Sequence, residues 1–170
     1  MRGHLNGLLV VLAVMGGGCA GYRVGPVSGE VARERSIQVT PFASKVIEPR
    51  VGDAVTTSLR RQLQQEGTYR LDTRGQGDIV VTGEVVEYDR SHISFKPEDI
   101  LTPRDYRLRI RAQVTARDRG TGRVLLDREV MGHTTLRVTP DLASAERQAI
   151  PQAADELARN ITALLTEGSW

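Results

Sequence analysis

Residues 106–118 read YRLRIRAQVTARD, and their strict alternation sets the architecture of the whole chain. Leu108, Ile110, Ala112, Val114 and Ala116 fall on one side of an extended strand; Arg107, Arg109, Arg111, Gln113, Thr115 and Arg117 fall on the other. A two-residue period means one sheet face packs on a core while the other meets water or a partner. Directly after it, DRGTG at 118–122 has the composition of a tight turn, so 123–136 is expected to return as a hairpin partner.

Upstream, IVVTGEVVEY at 79–88 is almost saturated with strand formers. Its doubled valines suit a strand buried on much of both faces, and Gly83 implies a bulge or the close approach of a packed helix. Residues 89–105, DRSHISFKPEDILTPRD, contain Pro97 and Pro103 among Ile93, Phe95, Ile100 and Leu101. They read as the longest loop of the body, and a long loop bearing apolar residues is usually functional. SIQVTPF at 36–42 is a first strand, ended or held at an edge by Pro41, and 68–72 is a short extended piece.

Two stretches carry the helical period instead. In 51–66, Val51, Val55, Leu59 and Leu63 make one apolar stripe, and Gly67 is suited to the left-handed residue that closes a helix. In 139–167, Ile150, Ala154, Leu157, Ile161 and Leu164 make a second stripe, with Asp141 as a candidate cap. Pro151 should either kink that helix or mark its true start. The expected fold class is therefore α+β: a two-layer sandwich of about four strands, mainly antiparallel or mixed, with both helices on one face.

The N-terminus has a different grammar. Arg2 precedes an apolar run at 8–15, three glycines and Cys19, the one cysteine of the 170 residues. A basic start, a short apolar core and small residues before a cut make a secretory signal, too short to span a membrane. Small residues directly before a cysteine point to a lipoprotein signal at 1–18, with Cys19 lipidated; Gly16 stands where such signals usually have leucine. An ordinary secretory signal with a stray thiol is the plainer alternative. Residues 19–35 then read as a tether and 36–167 as the folded domain. Ala20 is not the aspartate that retains lipoproteins at the inner membrane, so the expected address is the periplasmic side of the outer membrane.

Composition excludes much. The 23 basic and 21 acidic residues nearly cancel, so no global field favours nucleic acid. After Cys19 the only histidines are His92 and His133, without metal-ligand spacing, and no nucleophile elbow, Walker loop or dinucleotide fingerprint is present. No enzyme, metal or cofactor is expected. The one charged constellation with geometry is Arg107, Arg109 and Arg111. Side chains about 6.6–7 Å apart on one strand face could form a ladder of cationic forks for phosphates or carboxylates, or could be a solvated face.

Taken in order, the segments resemble the LPS-assembly lipoprotein family LptE. The resemblance rests on Cys19-Ala-Gly-Tyr22, Ile37-Gln-Val-Thr-Pro-Phe42, Asp53-Ala-Val-Thr-Thr-Ser-Leu59, Gly77-Asp-Ile-Val-Val-Thr-Gly-Glu-Val85, Tyr106-Arg-Leu-Arg-Ile110, and the Thr-Gly turn between Asp118 and Leu125. It implies a plug inside the outer-membrane β-barrel LptD that supports its assembly and helps deliver lipopolysaccharide to the outer leaflet. It also implies lipopolysaccharide contacts near 94–96, where Lys96 matches, with Arg104 added by proximity. The other contact region of the family, the start of the last helix, reads Ser144-Ala-Glu146 here and offers no basic group. A similar strand–helix–strand start occurs in envelope lipoproteins of the LpoB and TolB N-terminal type, which bind wall synthases or trans-envelope complexes.

Overall fold

The computed structural model describes residues 34–48, 50–96, 98–137 and 141–167. The signal, Cys19 and most of the tether lie outside the described residues. In chain order the elements are β1 (Ser36–Val39), β2 (Ala43–Ser44), α1 (Arg50–Glu66), β3 (Arg70–Asp72), β4 (Ile79–Lys96), β5 (Asp99–Asp118), β6 (Val124–Arg137) and α2 (Leu142–Glu167). The strands form one mixed sheet in the order β3-β1-β4-β5-β6, with β2 alongside β4. The six strands exceed the expected four because Ala43–Ser44, beyond the expected first strand, pairs with β4 and the 68–72 piece joins the edge as β3.

The alternation of 106–118 decides the layering as expected. Leu108, Ile110, Ala112, Val114 and Ala116 are all fully buried. They face Val51, Val55, Leu59 and Leu63 of α1 or Ala153, Ala154, Leu157, Ile161 and Leu165 of α2, which form the same core with Ile37, Ile79 and Val81. Burying each large aliphatic side chain contributes about 1.5–3 kcal/mol, so this single layer of contacts dominates stability. Gly67 closes α1 with φ of 80°, and its N–H donates to the Leu63 carbonyl at 3.2 Å. The Asp141 carboxylate accepts from Ser144 N–H at 3.0 Å and so caps α2. The helix runs continuously through Pro151, which therefore does not mark its start.

Two glycines allow the layers to close. A Cβ on Gly83 would overlap the ring of Phe42, so the close approach there comes from the β1–β2 connection and not from a helix. The bulge in β4 lies farther on, between Val85 and Glu87. A Cβ on Gly132 of β6 would lie 2.5 Å from the Ala153 carbonyl oxygen and 2.7 Å from Leu157 Cα, so α2 rides directly on the strand backbone.

The largest departure from the sequence reading is 89–105. This stretch is not a loop: β4 continues to Lys96, β5 begins at Asp99, and the two pair as the outer half of a long hairpin. Register shifts between His92 and Lys96 absorb the irregular residues. Pro103 is tolerated because, among the described residues, β6 pairs with β5 only from Asp105 onward and the backbone before Asp105 has no partner on that side. At about 3.3 Å per residue, the 18 residues of β4 trace roughly 60 Å, well past the helices.

Candidate functional site: the ribbon and the uncovered sheet face

Two ends of the sheet are built differently. At the end where the chain enters, Arg35 pairs with Asp118, and Asp78 accepts from both the N–H and the hydroxyl of Ser36, at 2.7 and 2.6 Å. Those two bonds hold the Asp78 carboxyl below its usual range. Arg119 donates to the Gly77 carbonyl at 2.8 Å, tying the β5–β6 turn to the start of β4. The far end is the β4–β5 ribbon, where Ile93 and Phe95 are exposed and the His92 ring stacks on Phe95 and meets Tyr106 at a tilt of 45°.

On the face without helices, cross-strand register decides what each arginine meets. Arg111 lies 3.2 Å from Glu87 and 3.0 Å from Glu129. Arg109 stands 3.9 Å from both Glu87 and Asp89. Carboxylates from β4 and β6 thus interleave with the expected ladder, and these two guanidinium groups are 29% and 33% exposed. Arg107 differs: its cross-strand neighbours are Ser91 and Thr135, and its side chain is exposed.

Beside Arg107, Asp105 gathers the remaining charge. It accepts from Ser94 at 2.6 Å and lies 3.4 Å from Arg137 and 3.5 Å from Arg104. The Ser94 hydrogen bond, with help from Arg137, holds the Asp105 carboxyl below the usual carboxylate range. Arg104 and Arg137 therefore flank a single carboxylate at the root of the ribbon, and Arg107, two residues along the same strand face, adds a third cation beside them, an excess of positive charge suited to anionic groups. Lys96 ends β4, and its side chain lies outside the described residues.

Arg137 is the member that sequence reasoning missed. A register shift between Ala116 and Arg117 separates the turn from the ladder, so counting back from DRGTG does not place Arg137 opposite Asp105. On the helix side, Glu146 accepts from Tyr88 and, at 2.7 Å, from Arg90. Burial first, and then this bond to Glu146, push the Tyr88 hydroxyl well above its usual range. The start of α2 is thus neutralised by β4, and Arg147 lines the adjoining groove with Arg50 and Glu48. Among the described residues no group of three potential metal ligands occurs, and no helix is long and apolar enough to cross a membrane.

Comparison with known proteins follows the same outline. A family model described as LptE, lipopolysaccharide-assembly, matches residues 34–165. No curated protein sequence matches. Among solved structures, a Xanthomonas campestris protein is 13% identical, with a TM-score of 0.59 over 86% of this chain and 94% of that one. A Chlamydia trachomatis protein is 10% identical, with a TM-score of 0.58 over 79% and 96%. A minor lipoprotein of Acinetobacter baumannii is 15% identical, with a TM-score of 0.52 over 78% and 93%. At these identities the likeness is one of fold.

Proposed function

The chain belongs to the LptE family of lipopolysaccharide-assembly proteins, and from that premise we propose that it works without catalysis as a lipid-anchored outer-membrane protein. In this reading Cys19 carries the lipid, the sandwich occupies and supports the LptD β-barrel, and the ribbon helps pass lipopolysaccharide toward the outer leaflet. The observation that carries it is the ribbon itself. Exposed Ile93 and Phe95 stand beyond a root that bears Arg107 and, around the Asp105 carboxylate, Arg104 and Arg137.

That pairing of chemistries fits an amphipathic anionic glycolipid. Guanidinium forks address phosphates with paired hydrogen bonds, and apolar side chains tolerate acyl chains. Lys96 adds a further cation at the ribbon's end. Arg109 and Arg111, already shared with Glu87, Asp89 and Glu129, serve in this reading as a charge-balanced wall facing the barrel.

Lipopolysaccharide titration of the full chain tests the ligand half. Lys96→Glu with Arg104→Glu should weaken binding at least tenfold at low salt, and unchanged affinity would remove both residues from the site. Purification from detergent-solubilised outer membrane tests the partner half. A large β-barrel is expected; recovery of a wall synthase or Tol component in its place rejects the barrel.

A further inference from the structure

Among the described residues, three of the sheet's free edges differ in their protection. β3 is three residues long, too short to template a partner. β6 is long but plugged: Asn160 of α2 donates to the Met131 carbonyl at 2.8 Å, and Glu156 accepts from the His133 N–H at 2.6 Å. Those bonds occupy edge-facing groups in the middle of the strand, where Gly132 also rests against α2.

The third edge is the outer half of β4. β1 and β2 accompany β4 as far as Val85, where Lys45 N–H donates to the Val85 carbonyl at 3.0 Å. The chain then turns away into α1, carrying the fully exposed Ile47. Antiparallel pairs alternate between bonded and unbonded. Since Met131 and His133 send their groups to the edge, Gly132 bonds Ile110, and Arg107, Arg109 and Arg111 bond toward β4. Tyr88, Arg90 and His92, opposite Ile110, Leu108 and Tyr106, therefore direct their N–H and C=O groups outward. The bulge between Val85 and Glu87 is what shifts the outward set from odd to even residues. Among the described residues nothing bonds these backbone groups, although Tyr88 and Arg90 are held on the core side by Glu146.

We propose that the β4 edge at Tyr88, Arg90 and His92 is a strand-addition site for an extended segment of a second protein. Backbone pairing would supply affinity and alternate side chains would supply selectivity. Glu87 is already shared with Arg109 and Arg111, but Asp89, 45% exposed and no nearer than 3.9 Å to Arg109, favours a cationic side chain on the uncovered face of the added strand, while Ile47 offers an apolar contact where the edge opens. A second copy of this chain fits less well. Antiparallel self-pairing centred on Tyr88, Asp89 or Arg90 sets like charges opposite each other, which leaves the register centred on Ser91 as the one across Tyr88–Ser91 without that repulsion. The inference does not rest on the lipopolysaccharide or barrel reading.

The test uses the full lipidated chain in detergent and a ten-residue peptide alternating lysine and valine, blocked at both ends. Amide exchange at Tyr88, Arg90 and His92 should slow at least tenfold with peptide, while the already bonded Ser91 amide stays unchanged. Two N-methylated peptides, one blocked at every valine and one at every lysine, separate backbone pairing from side-chain adhesion. One should lose at least tenfold in affinity and the other should keep it. Equal binding of the two, no protection at millimolar peptide, or a dimer formed through this edge in sedimentation would each overturn the proposal.

Discussion

The backbone of Leu157 lies directly over Gly132: a Cβ at Gly132 would stand 2.7 Å from Leu157 Cα. Helix α2 and strand β6 thus touch backbone to backbone, with no side chain to yield. Gly132→Ala must displace the helix, and overpacking of this kind costs about 1–3 kcal/mol. Gly120→Ala, whose nearest neighbour would be 3.5 Å away, should be near neutral. Urea denaturation midpoints of the two variants check the ranking.

The core under β5 should behave as one unit. Ile110 and Leu157 are fully buried, and truncating either to alanine should cost about 2–5 kcal/mol. A cost below about 1 kcal/mol for both, measured by chemical denaturation, would contradict the layering described above.

Acid stability should depend on the entry end of the sheet. The folded carboxyls of Asp78 and Asp118 sit below the ordinary value of 3.8, through bonds from Ser36 and from Thr121 respectively. Groups with depressed folded values stabilise the protein above their unfolded value and lose that contribution as pH falls through the folded one. Stability should therefore be flat above about pH 5 and decline progressively below about pH 4. In Asp78→Asn that decline should be shallower, as read from denaturation midpoints between pH 6 and pH 2.

The ribbon should be separable from the body. Of residues 93–105, those whose burial is described contribute nothing to the buried core, so replacing the stretch with Asn-Gly, to turn His92 directly into Tyr106, suits a two-residue hairpin. The shortened protein should keep its far-ultraviolet circular dichroism and melt within a few degrees of the parent, yet lose lipopolysaccharide affinity at least tenfold. Retained affinity would place the ligand elsewhere.

The arginines of β5 should divide by their neighbours. Arg107→Glu combined with Arg137→Glu should weaken lipopolysaccharide binding several-fold at low salt, with the deficit shrinking at 0.5 M salt as charges are screened. Arg109→Ala and Arg111→Ala, which release Glu87 and Glu129 from their pairs, should alter binding far less. Equal effects from both sets would show that register does not select the active cations.

What the sequence determined by itself was local. Alternation in 106–118 assigned the buried and uncovered faces of β5 residue by residue, and the helical stripes assigned the core faces of α1 and α2, except that Leu165 and not Leu164 is the fully buried member of the last turn. Those readings succeed because side-chain direction follows from the chain's own period. The tertiary structure alone decided which strands lie beside one another and how they are registered. That pairing made a ribbon of 89–105, where two prolines suggested a loop. It neutralised Arg109 and Arg111 but not Arg107, brought Arg137 to Asp105, and placed Phe42 rather than a helix over Gly83. Each of these joins residues far apart in the chain. A register is set by bulges such as those after Val85 and Ala116, which leave no periodic mark in the sequence.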